Sequence, residues 1–295
     1  MTTIRLTAAQ AMVRWLSLQQ AEDGGRFIEG VWAIFGHGNV AGLGEALHAH
    51  KDTLPTWRGQ NEQTMAHTAV AYAKAMGRRK AMAVTSSIGP GATNMVTAAA
   101  VAHVNRLPVL FIPGDVFASR APDPVLQQIE DFDDATVSAN DCFRPVVRYF
   151  DRISRPEHIL TALPRALRVM TDPANCGPVC LAFCQDTQAE AYDYPIDFFQ
   201  PRTWAIRRPE PDQRVRLATR GVCRASPELS TRLSVVAQQP AVFQQSIHVW
   251  ITPAEIAVGL APIDRVTTAI DPILQACGGG RIENIARLDE GCEAV

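Results

Sequence analysis

The chain has 295 residues, 47% of them hydrophobic and 20% charged, with a formal net charge of −2. That composition suits a sizeable core, excludes a disordered chain, and at about 150 residues per domain predicts about two domains. The near-neutral charge removes any general pull toward nucleic acid or an anionic membrane surface, and there is no apolar run of membrane-spanning length. The N-terminal stretch MTTIRLTAAQAMVRWL lacks the apolar segment of a secretion signal. The seven cysteines, an odd set running from Cys142 to Cys292, suit reduced thiols in a cytoplasmic protein.

In chain order, residues 7–22 read as a helix with Ala, Met, Leu and Trp15 on one face. VWAIF (31–35) is a short apolar strand of the buried parallel kind, ending in the glycine-rich turn GHGNVAGLG and a helix near Glu45–His50. LPTW (54–57) reads as a short strand. Asn61 to Met76 reads as a long helix that Gly77 caps. KAMAVTS (80–86) is a strand, followed by SSIGPGATN and an alanine-rich helix to about His103. Further strands are expected at 107–114, 145–150 and 177–183, with a helix starting near Pro156. Strands alternating with helices predict an α/β domain over 1–195, a doubly wound parallel sheet of six strands. Residues 196–212 read as a proline-bearing linker. Residues 213–295 contain eight arginines, no lysine and no βαβ rhythm, and read as an irregular tail.

Two stretches carry chemistry. The first is Arg58-Gly59-Gln60-Asn61-Glu62-Gln63-Thr64-Met65-Ala66-His67, which places Glu62 in the first turn of a helix of low side-chain bulk. Taken alone, such a carboxylate is also what helix-end electrostatics favours. The second is Ser87-Ile88-Gly89-Pro90-Gly91-Ala92-Thr93-Asn94, a turn between a strand and a helix where glycines let a ligand approach the backbone. It is neither a dinucleotide fingerprint nor a Walker A loop, and alone it is also ordinary turn chemistry. Cys176, Cys180 and Cys184 do not have zinc-site spacing and read as core or free thiols. The carboxylate run Asp131-Phe132-Asp133-Asp134 reads as a solvated loop and not as a metal site.

Taken together, E-x3-A-x6-A-x3-G, a strand, S-x-GPGATN, an alanine-rich helix and LPVLFIPGD resemble the pyrimidine-binding domain of thiamine-diphosphate enzymes of the acetolactate-synthase superfamily. Within it, FGHGNVAGLGEAL (35–47), RGQNEQTMAH (58–67) and PGDVFASRAPDPVLQQIED (113–131) resemble the hydrolases that open a cyclic 1,2-dione to 5-deoxyglucuronate in myo-inositol catabolism. Acetolactate synthases usually have His before the matching Glu; here Asn61 precedes Glu62, which favours the hydrolase branch.

The resemblance implies thiamine diphosphate and Mg2+ as cofactors, a small-molecule substrate and a homo-oligomer, dimer or tetramer. It implies that Glu62 bonds the aminopyrimidine ring as the catalytic carboxyl, raised toward neutrality by an apolar pocket, with Gly89, Pro90, Gly91 and Asn94 around the cofactor. His37, Asn39, Gln127 and Gln128 fall in loops that would face the substrate; each is also the kind of polar residue loops carry by default.

The GDG motif that holds diphosphate and Mg2+ in these enzymes is absent from the sequence, so no metal ligand is expected in this chain. The loss of resemblance near Gln213 reads as truncation or a frame change of the middle domain, leaving a chain inactive by itself. Other readings are an acetolactate-synthase-like lyase or carboligase and a non-catalytic half-site fragment.

Overall fold

The computed structural model describes residues 2–206 apart from Arg120, 123–126, 128–132, 135 and 136. The expectations for 213–295, Gln128 and Asp131-Phe132 lie outside the described residues. The centre is a seven-stranded parallel sheet. Its strands are β3 (Ile28–Ala33), β4 (Thr56–Arg58), β5 (Ala81–Thr85), β6 (Leu110–Phe111), β7 (Gly114–Asp115), β8 (Tyr149–Ile153) and β9 (Val179–Cys184). The lateral order is β4-β3-β5-β6-β9-β8, with β7 continuing along β9 beyond β6.

Side-chain alternation decides which helices cover which face. Ala81 and Ala83 of β5, Leu110 of β6, and Val179, Leu181 and Phe183 of β9 join one apolar cluster with α1 (Ala8–Ser17), α2 (Glu45–Ala49) and α6 (Ile159–Thr171). Met82, Val84, Phe111 and Cys180, the residues between, join a second cluster with α3 (Glu62–Ala75) and α5 (Val96–Val104). The sheet is therefore wound on both faces. Helices α3 and α5 bring together Ala69 and Ala73 with Ala98, Ala99 and Ala102, all fully buried, so their axes approach without bulky side chains between them.

Helix α3 starts and stops for local reasons. Asn61 is its N-cap, accepting from the Thr64 N–H at 3.0 Å. At its end Gly77, at φ 58°, donates to the Lys74 carbonyl and Arg78 donates to Ala73, the paired bonds of a Schellman close.

Several boundaries differ from the sequence reading. The first helix ends at Ser17, and β1 (Thr3–Thr7) and β2 (Gln19–Ala21) flank it. β1 pairs antiparallel with β10 (Ala191–Pro195), a partner that no local pattern announces. The strand expected at 107–114 is broken at Pro113, which has no N–H for a ladder. The strand expected at 145–150 lies at 149–153, because Ala139–Val146, containing Pro145, forms a 3-10 helix. Cys176, Cys180 and Cys184 are buried, and burial pushes Cys180 well above the ordinary thiol range.

The first part of the expected linker is folded onto the domain. β11 (Arg202–Trp204) runs parallel to β2, and the buried Trp204 indole donates to Gln19 Oε1 at 3.0 Å. Gln19, itself fully buried, donates through Nε2 to the Trp15 carbonyl at 2.8 Å. One amide therefore satisfies two buried groups. Gln19→Ala is expected to leave the Trp204 indole unpaired, the Trp15 carbonyl keeping the Leu18 N–H at 3.2 Å, and to lower unfolding free energy by about 1–3 kcal/mol, the usual cost of one orphaned group. Urea denaturation measures this; a loss no larger than that of an exposed substitution would show that β11 does not depend on Gln19.

Candidate functional site

The loops that follow β3, β5 and β7 meet at the carboxyl edge of the sheet, where open α/β sheets bind ligands. Their contact is between backbones. The Ile88 N–H donates to the His37 carbonyl at 3.0 Å, and the Gly114 N–H donates to the Ser86 carbonyl at 3.1 Å. A Cβ on Gly114 would lie 2.9 Å from the Gly38 carbonyl oxygen, and Gly38 itself stands at φ 93°. Gly89 stands at φ 66°, ψ −118°, a conformation open essentially to glycine alone.

Ser87 is packed against Gly36, from the loop after β3, and Gly91, four residues on. A Cβ on Gly36 would lie 2.9 Å from Ser87 Cβ, and a Cβ on Gly91 would fall on Ser87 Oγ. The same Gly91 position lies 3.4 Å from Glu62 Oε1. Glu62, half-buried at the first turn of α3, accepts from Asn94 Nδ2 at 2.9 Å through its other oxygen. The structure thus brings Glu62, Gly91 and Asn94 together, with Gly89 and Pro90 shaping the turn between them. Among the described residues Asn94 is the hydrogen-bond partner of the carboxylate, and Oε1 lies beside Gly91, whose side-chain position the Ser87 hydroxyl fills. Met65 lies buried behind this turn, 3.0 Å from where a Gly59 Cβ would stand.

The substrate-facing candidates separate. His37 is half-buried, and its Nε2 is fully buried without a hydrogen-bond partner among the described residues, so it has lost water and gained no protein group. Asn39 is 1% exposed and already committed. Its Oδ1 accepts from the Gly36 N–H at 2.9 Å, and its Nδ2 donates to the Ile34 carbonyl and to Thr85 Oγ1, each at 3.2 Å. Thr85 in turn donates to the Ile112 carbonyl at 2.7 Å. Asn39 therefore ties the ends of three strands instead of facing a substrate. Gln127 is an exposed turn residue at φ 64°.

Three positioning groups escape the sequence reading. Gln188, 1% exposed on α7 (Gln185–Ala189), donates to the Gly38 and Phe183 carbonyls and accepts from the Leu43 N–H at 3.0 Å. It fixes the glycine-rich loop onto β9. The segment 116–119 is held by Asp186, which accepts from the Ala118 and Ser119 N–H groups at 2.8 and 2.9 Å. Burial pushes the Asp186 carboxyl up, but these backbone donors outweigh it and hold it below the ordinary range. Asp115, fully buried, pairs with Arg152 at 2.6 Å, and Arg152 also reaches Ser138 Oγ at 2.7 Å and Asp141 at 3.1 Å. These partners lie so far apart along the chain that no spacing pattern reveals them.

Comparison with known proteins bears on this arrangement. Residues 7–136 match the family described as thiamine pyrophosphate enzyme, N-terminal TPP binding domain. The chain is 53% identical over 214 residues to a protein of Geobacillus thermodenitrificans named 3D-(3,5/4)-trihydroxycyclohexane-1,2-dione hydrolase, covering 72% of this chain and 34% of that one. Proteins of the same name from Lacticaseibacillus casei and Listeria monocytogenes are 52% and 49% identical over 71% and 72% of this chain, covering 33% and 34% of theirs. The chain thus spans about a third of the length of the curated relatives it matches.

Gly91 yields a test of the geometry. Gly91→Ala is expected to lower stability by about 1–3 kcal/mol, the usual cost of overpacking a buried position. The clash is with the Ser87 hydroxyl, while Ser87 Cβ would be an ordinary 3.4 Å away. Ser87→Ala in the same chain should therefore restore most of the loss. Additive losses in the double variant, read by thermal melting, would place the strain elsewhere.

Proposed function

We propose, from the premise that residues 7–136 form a thiamine pyrophosphate enzyme N-terminal domain, that the chain supplies the pyrimidine-binding half of a thiamine-diphosphate-dependent C–C hydrolase. The substrate class is a cyclic 1,2-dione, as the names of the relatives state, and trihydroxycyclohexane-1,2-dione in inositol catabolism is its fullest form. The observation that carries this reading is the Glu62 carboxylate, held by Asn94 through one oxygen while the other, beside the bare Gly91 backbone, has no hydrogen-bond partner among the described residues.

The residues present fit the aminopyrimidine part of the cofactor. A planar heterocycle needs backbone it can approach without a side chain in the way, which Gly89 and Gly91 supply, and a carboxyl oxygen without a partner among the described residues, which Glu62 Oε1 supplies. When bound, the cofactor supplies an electron sink for cleavage of a C–C bond. Glu62 holds and moves a proton at the ring nitrogen it faces. Asn94 fixes the Glu62 rotamer, so that Oε1 and not Oε2 takes that task. Gly89 and Pro90 set the turn that brings Gly91 beside Glu62, where it would meet the ring. His37 Nε2, buried and unpartnered, is assigned to a polar group of the substrate.

Among the described residues there is no group of three or more His, Cys, Asp or Glu side chains placed to hold a metal ion. We accordingly assign the diphosphate and its Mg2+ to residues outside those described, here or on a partner subunit of a homo-oligomer, dimer or tetramer. No helix among the described residues is long and apolar enough to cross a membrane. The free cysteines Cys142, Cys176 and Cys180 suit a cytoplasmic setting.

The test fuses residues 1–206 to the C-terminal two-thirds of the Geobacillus relative and follows opening of the dione with added thiamine diphosphate and Mg2+. Turnover is expected, and Glu62→Gln should lower it by about 10²–10⁴-fold, the usual contribution of a general acid–base group, with the fold retained by circular dichroism. Full turnover in that variant would make Glu62 a helix-end charge. Carboligation of pyruvate without opening of the dione would move the chain to another branch of the family.

A further inference from the structure

The opposite, amino-terminal edge of the sheet has a chemistry of its own. Strands β5, β6, β9 and β8 lie side by side, with Ala83 level with Leu110, Leu110 with Val179, and Val179 with Tyr149. Just upstream of them stand Arg78 and Arg79 before β5, Arg106 before β6, and Arg148 before β8. The turn before β9, Ala174–Gly177, lies in the middle. At about 4.8 Å between strands, the strip is about 15 Å wide.

The side chains converge on that central turn. From the β6 side, Arg106 Nη1 donates to the Ala174 carbonyl at 3.1 Å. From the β8 side, the Arg148 stem lies flat across Gly177, where a Cβ would collide with its Cγ. Arg78, Arg106 and Arg148 all act electrostatically on the buried Cys176 of the same turn. None of Arg78, Arg79, Arg106 and Arg148 makes an ion pair among the described residues. Asp172, the acid of the turn, commits Oδ1 to the Ala174 and Asn175 N–H groups at 2.8 and 2.7 Å.

The backbone at two of these arginines is a second, independent observation. Arg78 stands at φ 66° and Arg106 at φ 53°, in the left-handed region that favours glycine. Arg106 closes α5 with the bonds of a Schellman motif, its N–H to His103 and the Leu107 N–H to Ala102. That position is usually glycine. An arginine there keeps a side chain at a backbone cost that glycine would avoid.

We propose that this edge is a binding site for a multiply charged phosphate-type oxyanion, held by Arg106 and Arg148 over the Ala174–Gly177 turn with Arg78 beside them. Guanidinium forks match phosphate oxygens in pairs, and three of them around one short turn suit a compact ligand more than an extended polyanion. Trp57, the exposed aromatic among the described residues, is on β4 at the far flank of the sheet, and Tyr149 and Phe150 beside the strip are half-buried, so no exposed ring stands there for stacking bases.

The probe is inorganic tripolyphosphate, titrated calorimetrically into the 295-residue chain. Binding is expected, weakening as salt is raised. Arg106→Gln with Arg148→Gln should weaken it by at least about tenfold, since charge-assisted hydrogen bonds are the strong ones. Glu62→Gln, at the other edge, should leave it unchanged. On the unaltered chain, tripolyphosphate should protect Arg106 and Arg148 from phenylglyoxal, mapped by mass spectrometry, which keeps the test independent of whether the double variant folds. Absence of binding, equal binding by the folded double variant, or equal labelling with and without tripolyphosphate would each overturn the proposal. None of these outcomes depends on whether Glu62 serves a cofactor.

Discussion

Close approach of main chain to main chain at the carboxyl ends of β3, β5 and β7 is the constraint on which the candidate site depends. Gly38 and Gly114 come so near that a methyl group on Gly114 would press on the Gly38 carbonyl. Gly36, from the loop after β3, and Gly91, four residues on from Ser87, both close on Ser87. Remove that closeness and the turn carrying Gly91 no longer lies beneath Glu62. The polar side chains around it work to the same end: Asn39 and Thr85 tie three strand ends together, and Gln188 holds the first loop against β9. The chemistry of the edge rests on glycines and amides more than on charge.

The alanine content of α3 and α5 follows from the same geometry. Glu62 is delivered by α3, so its position depends on how closely α3 sits on the sheet and on α5. Ala66, Ala69 and Ala73 face Ala98, Ala99 and Ala102 with no exposure to solvent, a contact with no long side chain to change rotamer. Packing by small rigid groups transmits position well because it has few alternative arrangements. Asn61 then sets the first turn of α3, and Asn94 selects which carboxylate oxygen is left without a partner.

What was legible in the sequence is what repeats locally. The alternation of β5 and β9, the small-residue spacing of α3 and the glycines around Pro90 all depend on neighbours within a few residues, and they gave a doubly wound sheet and the cluster of Glu62, Gly91 and Asn94. For Asn39 the loop position points outward, but polarity in a loop says nothing of where the side chain turns; its amide faces inward to Ile34 and Thr85. Gln188 was invisible because Gly38 and Leu43, its partners, lie 150 and 145 residues away. The pair of Asp115 with Arg152 and the seam of β1 with β10 were hidden for the same reason. The single strand expected at 107–114 overlooked that Pro113 interrupts the ladder even inside an apolar run.

The two edges of the sheet divide charge between them. The carboxyl edge offers the Glu62 carboxylate, the paired Asp115 and Arg152, amides and bare glycine backbone; the amino edge of β5, β6, β9 and β8 gathers arginines that make no ion pair among the described residues. From Arg79 to Ser87 the extended chain runs about 25 Å at about 3.3 Å per residue. That is about three times the Debye length of about 8 Å at physiological ionic strength, so the arginines do not act on the carboxyl edge through solvent. Coupling between the edges, were a ligand bound at either, has to pass through β5 and β6 themselves. Both strands run directly from the arginine turns to the glycine loops, buried on both faces. A rigid strand transmits displacement only if its packing has a second arrangement to move to, and the close alanine contacts beneath it oppose one. The fold therefore favours two independent sites, joined by a stiff sheet that keeps each in place without making either answer to the other.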